Sequence, residues 1–434
     1  MRLSASSERA PARPAVLLIA PASSYRLAPY LQAANGLGLE PIVVSEGEHS
    51  LVGAVSSGIH VRMEDARSGA ERIVQALGGR PIAGVVGTDD ATVPVAAQVA
   101  GQLGLVHNPP GAALLSRRKD LARARLQAAG IPVPRHRRLD LHAPLNVQVR
   151  DLPYPSVVKP LSLSGSRGVI RADDPTQMQA ACARVGTMLR GDDALGAEER
   201  RYLLAEAFVP GPEVALEGML RGGRLQVLAL FDKPDPLDGP YFEETYYVTP
   251  SRHPAADQER VAQRVQQACA AYGLREGPVH AELRLHAGDA WIMEVAARTI
   301  GGQCARLLGF GTGRTLEDLV VSRAVGRDLP LPDGDGAAGV LMIPIARAGS
   351  LRRVEGVLAA RGVRYIEDLE ISVREGYELV PLPEGSSYLG FIFARARAPE
   401  QVEAALRQAH SHLNIVTAPV FRLEKRGESV KRKE

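Results

Sequence analysis

Apolar and polar positions alternate along the chain with two different periods. Ala15-Val-Leu-Leu-Ile-Ala20 is a short apolar run that reads as a buried strand, and Tyr25 to Gly36 reads as a helix ending at Gly36 or Gly38. Glu40-Pro-Ile-Val-Val44 is a second strand and Gly84-Val-Val-Gly87 a later one. Strands alternating with helices imply an α/β layer with a parallel sheet. Arg117 to Ala129 is a basic amphipathic helix closed by Gly130 and broken by Ile131-Pro-Val-Pro134. Beyond it the period shortens to two. Ser156-Val-Val-Lys159 is an apolar strand, followed by a small-residue loop and a further strand through Ile170. Leu203-Leu-Ala-Glu206 and Glu213-Val-Ala-Leu-Glu217 are strands about a Pro-Gly turn. Val279, Ala281, Leu283 and Leu285 alternate with His280, Glu282 and Arg284. Ala287-Gly288-Asp289 supplies a turn, and Trp291-Ile-Met-Glu294-Val returns as the second arm of a hairpin.

The last hundred residues read as α+β. Gly339 to Ala346 and Tyr388 to Arg395 are strands, Leu351 to Arg361 a helix, and Pro399 opens a helix with the apolar stripe Val402, Leu406, Ala409 and Leu413. Asp328-Leu-Pro-Leu-Pro-Asp-Gly-Asp-Gly-Ala-Ala is rich in turn residues and marks a boundary. Residues 1–13 and the tail Lys425–Glu434 read as solvated, disordered ends.

With 434 residues the chain suggests two to four domains. Its 45% hydrophobic and 23% charged content is that of an ordinary globular enzyme. A net charge of +3 and only 4% aromatic residues argue against a nucleic-acid footprint. Cys182, Cys269 and Cys304 are odd in number and widely spaced, which excludes a disulfide framework and fits a reducing cytoplasm. No apolar run approaches a membrane span, and Ala15–Ala20 is too short for a signal peptide's apolar region.

The candidate chemistry is carried by carboxylates and lysines. A three-residue hairpin loop would pair Glu282 with Glu294, their β-carbons about 5 Å apart; a two-residue loop would turn them to opposite faces. Paired carboxylates repel unless one takes a proton or a hard cation sits between them, and such a cation suggests Mg²⁺ and phosphate. A solvated face is the plainer reading of the same pair. Lys159 precedes Ser164-Gly165-Ser166-Arg-Gly168, a loop whose backbone N–H groups can approach phosphate oxygens; a hairpin turn beside a chance lysine competes with this. It is not a Walker loop, since the lysine comes first and a strand follows. Ala207-Phe208-Val209, between Glu206 and Glu213, is an apolar linker expected to have free backbone groups such as an adenine edge needs, with carboxylates such as a ribose diol needs; a hairpin with outward-facing glutamates is the alternative. Thr88-Asp89-Asp90 follows a strand's carboxyl end, where such sheets bind ligands; the preferred reading of its acidic pair is nevertheless a helix N-cap with first-turn carboxylates. No G-x-G-x-x-G follows the first strand, where Ala20-Pro-Ala-Ser-Ser stands, so a dinucleotide site there is disfavoured.

Lys119 in its basic helix, Lys159 with its Ser/Gly loop, the Glu206–Glu213 linker, the Glu282/Glu294 hairpin and Arg298 follow one another in an order that resembles the ATP-grasp superfamily of carboxylate–amine ligases. The resemblance covers roughly residues 85–325. Glu294-Val-Ala-Ala-Arg298-Thr-Ile-Gly-Gly is most similar to the L-amino-acid ligases that make dipeptides. It implies an N-terminal Rossmann-like domain over residues 1–112, an ATP-grasp domain over 113–335 with a small lid about 155–212, an α+β domain over 336–424, and a charged tail over 425–434. It implies that Lys119 and Lys159 hold ATP phosphates under a mobile loop of Ser164, Gly165, Ser166 and Gly168. Glu206 with Ala207, Phe208 and Val209 would meet adenine, and Glu213 the ribose. Glu282 and Glu294 would bind Mg²⁺, for which Mn²⁺ can substitute, and Arg298 would neutralise the transferring phosphoryl group. Lys159 and Arg298 are thus the catalytic candidates.

Gly239-Pro-Tyr-Phe-Glu243-Glu-Thr-Tyr-Tyr is similar to a segment near the acceptor site of related ligases, and makes Glu243 a substrate candidate. His280, which shares a face with Glu282, is a second, with a satisfied core histidine as its plainer reading. Arg306 is a third, able to fork onto a substrate carboxylate, with a structural salt bridge as the alternative. The partners implied are a small carboxylate and an amine, in a monomer or homodimer, without nucleic acid or membrane. One departure stands out: many ATP-grasp enzymes carry a metal-binding Asn where this chain has Ala296, which bears on a second Mg²⁺. Two alternatives remain open. A biotin-carboxylase-like enzyme using bicarbonate suits the length, but follows its second metal glutamate with Asn and a Gln-Val-Glu-His run. A non-catalytic nucleotide-binding module is the other.

Overall fold

The computed structural model describes residues 13–22, 24–46, 58–63, 65–309, 314–330 and 336–420. The expectations for the extreme N-terminus and for the tail 425–434 lie outside these residues. Four sheets organise them. The first is built from β1 (Ala15–Ile19), β2 (Glu40–Ser45), β3 (Gly58–His60) and β4 (Ile82–Gly87) in the order β3-β2-β1-β4, and every described pairing in it is parallel. The helix Leu27–Gly36 covers one face together with Leu319, Val320 and Val321 of a later helix, Leu316–Ala324. The N-terminal layer is thus packed against the centre of the molecule.

The second sheet, β5 (His136–Asp140), β6 (Ser156–Pro160), β7 (Ile170–Ala172) and β8 (Tyr202–Ala207), runs β5-β8-β6-β7 and is antiparallel. The helix Pro175–Arg190 closes its apolar face through Met178, Cys182, Val185 and Leu189.

The third sheet has eight strands. Six come in sequence: β9 (Glu213–Arg221), β10 (Arg224–Lys233), β11 (Tyr246–Thr249), β12 (Gly277–His286), β13 (Asp289–Ala296) and β14 (Ala337–Ile343). Five strands follow: β15 (Gly349–Glu355), β16 (Ile366–Ile371), β17 (Glu378–Leu379), β18 (Gly390–Ala396) and β19 (Asn414–Ala418). Of these β16 and β18 complete the order β13-β12-β9-β10-β11-β14-β18-β16, and the others form the small fourth sheet. One face of the central strands presents Val214, Leu216, Ala281, Leu283 and Val295 to the helix Ala255–Tyr272. The period of two therefore turns Glu213, Ala215 and Glu217, and His280, Glu282 and Arg284, to the other face.

Two elements differ from expectation. The hairpin loop is not three residues long: His286 pairs with Asp289, and only Ala287 (φ 51°) and Gly288 (φ 74°) turn the chain. Left-handed φ at both positions is the tight two-residue turn that matches strand twist. That register would separate the two glutamates. A β-bulge at Met293 restores them, because Leu283 pairs with Ile292 while Glu282 pairs with Glu294. The expected helix Leu351–Arg361 is instead β15, followed by a five-residue helix, Val357–Arg361. Gly356 separates them at φ 81°, and a Cβ there would stand 1.9 Å from the His412 carbonyl oxygen. The helical spacing across that glycine was accidental.

Candidate active site

A cavity of about 800 Å³ opens between the first three sheets. Lys119, Lys159, Ser164, Gly165, Ser166, Glu206, Ala207, Phe208, Val209, Glu213, His280, Glu282, Glu294 and Arg298 all line it. Gly168 is not among the lining residues; its N–H donates to the Pro383 carbonyl at 2.9 Å, tying the loop to the C-terminal part of the chain.

The rungs of the third sheet set the geometry. Lys233, Glu213 and Arg284 are Cα partners across β10, β9 and β12; Ala215, Glu282 and Glu294 form the next rung, and Glu217, His280 and Ala296 the one after. Ala215 leaves space beside Glu282. Glu294 Oε2 lies 3.4 Å from Lys119 Nζ, which also donates to the Leu163 carbonyl at 2.7 Å. Glu282 Oε1 lies 3.2 Å from Lys233 Nζ and 3.5 Å from His280 Nε2. Burial would raise the Glu282 carboxyl, but Lys233 and then His280 hold it well below the usual range. His280 Nδ1 is 3.2 Å from the buried Glu217. Burial alone would discharge the imidazole; its hydrogen bonds to Glu217 and Glu282 hold its pKa above the usual value. His280 therefore meets carboxylates on both nitrogens and also faces the cavity. An all-oxygen pair on adjacent strands, both carboxylates facing a solvent-connected cavity, is a donor set that suits a hard divalent cation.

Lys159 Nζ stands 2.6 Å from Glu206 Oε2, and Arg123 Nε lies 2.5 Å from Glu206 Oε1, both residues of that second pair 2% exposed. Burial would raise the Glu206 carboxyl, but Arg123 and Lys159 outweigh it and bring it down to about 2. Arg123 also donates to the Met293 carbonyl at 2.7 Å, so the bulge that aligns the glutamates is held from the basic helix. Glu213 is bracketed by Lys233 at 2.8 Å and Arg284 at 3.0 Å.

The linker is less free than expected. The Ala207 and Phe208 N–H groups donate to the Arg135 and Pro155 carbonyls, and the Val209 carbonyl accepts from Arg284. Extension of the sheet beyond β8 consumes them. The Val209 N–H has no partner among the described residues, and Val157, Leu237, Phe242 and Met293 supply apolar cavity walls nearby in the fold.

Arg298 lies in a fork with Asp90, Nε–Oδ1 3.0 Å and Nη2–Oδ2 3.0 Å, and donates to the Thr299 carbonyl. Asp89 pairs with Arg26 at 3.4 Å and accepts from Ser24 Oγ at 2.8 Å. The N-cap reading of this acidic pair is therefore wrong: Thr92 stands at the N-cap position of the helix Val93–Gln102, its hydroxyl bonded back to the Asp89 backbone, and both carboxylates serve arginines. Arg26 donates to the Thr299 and Ile300 carbonyls, and Tyr25 Oη accepts the Gly302 N–H. Residues of the first layer thus fix the segment that follows β13.

Two substrate candidates fall away from the cavity. Arg306 does not line it; its guanidinium is 2.8 Å from Asp368 and stacks on Phe393, which is the salt-bridge alternative. Glu243 accepts the Ile345 N–H at 3.3 Å and does not line it either, whereas the neighbouring Glu244 does. The segment was legible but its facing was one residue out. Arg123, one helical turn beyond Lys119 on the same face, was visible by its i,i+4 spacing. Asp90 was marked by its place at a strand's carboxyl end but set aside for an N-cap, and Lys233 gave no such sign. Cys182, Cys269 and Cys304 are free and buried. Among the described residues no helix is long and apolar enough to cross a membrane.

Residues 152–306 match the model of the ATP-grasp domain, and residues 341–418 match that of L-amino acid ligase C-terminal domain 2. The solved L-amino acid ligase from Bacillus licheniformis is 26% identical, superposes with a TM-score of 0.81, and the alignment covers 93% of this chain and 99% of that one. Phosphoribosylglycinamide synthetase from Anaerococcus prevotii, 15% identical with a TM-score of 0.66 over 93% and 100% of the two chains, shares the fold. An uncharacterized protein, y4rH, of Sinorhizobium fredii is 24% identical over 398 residues, 90% of this chain and 80% of that protein.

Proposed function

We propose that this chain, an ATP-grasp protein with an L-amino acid ligase C-terminal domain, joins a small carboxylate to an amine in an ATP-dependent reaction, an amino acid serving on at least one side. The observation that carries this reading is the convergence of Lys119, Lys159, Glu282, Glu294 and Arg298 on one cavity. The similarity to the Bacillus ligase over nearly the whole length of both chains supports it.

In this reading the apolar walls and the Val209 N–H receive adenine, and Glu213 the ribose. Lys119 and Lys159 receive phosphate oxygens. Each lysine now sits on a glutamate, so their charges are oriented before nucleotide arrives, and phosphoryl transfer depends mainly on such positioning and on cancelling charge. Glu282 and Glu294 would hold Mg²⁺, which when bound neutralises charge on the phosphates. The substrate carboxylate attacks the γ-phosphorus, giving an acyl phosphate and ADP. The amine then attacks the acyl carbon, the C–N bond forms as the C–O bond to phosphate breaks, and phosphate leaves together with the proton the amine nitrogen gives up. The Arg298 guanidinium, held in its fork by Asp90 and thus aimed, stabilises the phosphoryl oxygens. The loop Ser164–Gly168 and the C-terminal Ser386, Ser387 and Tyr388, also in the cavity wall, keep water from the acyl phosphate.

Incubation with ATP, Mg²⁺ and pairs from a panel of carboxylates and amino acids should release ADP and phosphate with a condensed product visible by mass spectrometry. Glu294→Gln should lose that turnover by a factor of about 100 or more while keeping the native circular dichroism. Nucleotide binding without turnover across the panel would favour a binding module instead.

A further inference from the structure

Glu213, Glu244 and Glu282 offer oxygens that all lie within 4.8 Å of one another, a spacing a divalent ion can bridge. That space is filled by a side chain of the protein itself. Lys233 Nζ lies 2.8 Å from Glu213 Oε1, 2.5 Å from Glu244 Oε1 and 3.2 Å from Glu282 Oε1. The ammonium donates hydrogen bonds to Glu213 and Glu244, and the Glu282 oxygen completes an ion pair with it. Lys233 is 5% exposed, its Cα is fixed opposite Glu213 at the end of β10, and its Nζ stands 5.0 Å from the centre of the Tyr247 ring.

The other end of the metal pair is equally confined. Lys119 Nζ stands 3.4 Å from Glu294, and Ala296, two residues on along the same face, has no ligand atom to offer. Fixed cations therefore flank both glutamates, and the opening left for a mobile one is between them.

We propose that Lys233 is the resident cation of this centre, standing where Glu213, Glu244 and Glu282 would otherwise collect a divalent ion, so that the protein holds one divalent ion, between Glu282 and Glu294. The inference rests on the ATP-grasp reading of those two glutamates. It gives Lys233 a positioning role: one ammonium links the proposed ribose carboxylate, a metal carboxylate and Glu244 in the wall.

Counting bound Mn²⁺ by electron paramagnetic resonance, in complexes with a non-hydrolysable ATP analogue, tests it. The wild type should hold one ion per chain. Lys233→Ala, checked for folding by thermal melting, should hold a second, and Lys233→Ala with Glu244→Gln should lose it again. Lys233→Arg keeps the charge and should keep the wild-type count. Two ions in the wild type, or an unchanged count in folded Lys233→Ala, would overturn the proposal. If Lys233→Ala does not fold, the wild-type count alone decides between one and two. A wild type that binds neither the analogue nor Mn²⁺ would instead overturn the ATP-grasp reading of the site.

Discussion

At the scale of single residues the site is a set of charges that cancel in pairs. Arg298 is the clearest case. Its fork with Asp90 spends Nε and one hydrogen of Nη2 and leaves further N–H groups for the cavity. Lysine is a point charge and cannot make that fork. Arg298→Lys should therefore lower kcat by a factor of about 100 to 1,000, the usual cost of a lost charge-stabilising donor, with KM for ATP changed far less; an equal rise in KM would show that Arg298 serves binding alone. Glu206 allows a test by pH. Its carboxyl goes from an ordinary 4.5 to about 2 in the fold. A depressed carboxyl contributes stability that is present above its unfolded pKa and lost as pH falls through the folded one. The stability gap between wild type and Glu206→Gln, on the order of 3 kcal/mol at neutral pH, should accordingly close between about pH 4.5 and 2 in denaturant titrations. A gap constant over that range would mean that the Arg123–Glu206–Lys159 contacts do not carry it. These residues also show what sequence can reveal. Lys119, Lys159, Glu282, Glu294 and Arg298 were legible together, because their order along the chain, from a basic helix through a strand end to a hairpin, carries the family resemblance. The role of Asp90, noticed only as a strand-end carboxylate, and that of Lys233 were not, since each acquires its meaning from partners on other segments: Arg298 for the first, and glutamates on three separate segments for the second.

At the scale of elements the decisive feature is the hairpin of β12 and β13. Alternation of apolar residues identified both strands, and the turn residues located the bend. The register was not legible, because it depends on two compensating irregularities, a loop one residue shorter than expected and a bulge one residue wide. The sum is the facing that a three-residue loop would have produced. The turn can be improved. Ala287 is exposed and holds φ 51°, where a Cβ is strained and asparagine is better tolerated. Ala287→Asn should raise stability by a few tenths to about 1 kcal/mol without changing turnover. A loss of activity in that variant would show that the turn does more than close the hairpin. The segment 351–361 failed for the opposite reason: its spacing suited a helix, but pairing of β15 with β19 and the close approach at Gly356 decided for a strand.

At the scale of the whole molecule the cavity belongs to no single layer. The third sheet passes without a break from the glutamate strands to β14, β18 and β16, so the last hundred residues share a framework with the site. They also reach across it. Beyond the Gly168–Pro383 hydrogen bond, Glu384 receives Arg184 of the helix behind β6 and β7 in a double ion pair, Nε–Oε1 2.6 Å and Nη2–Oε2 2.8 Å, and Arg184 donates as well to Tyr241. The pair is roughly half exposed, 44% and 38%, and exposed pairs contribute about 1 kcal/mol or less to stability. Its value would lie in geometry: it closes the proposed lid against the segment Ser386–Tyr388 in the cavity wall. Glu384→Ala should then leave the thermal midpoint nearly unchanged yet loosen that closure, admitting water to the acyl phosphate. The ratio of ADP released to amide formed, measured with a saturating amine, should rise above the wild-type ratio. Because the residues proposed to bind ATP and metal are untouched, ATP consumption itself should persist. An unchanged ratio would mean that the C-terminal contact is structural and that the loop excludes water unaided.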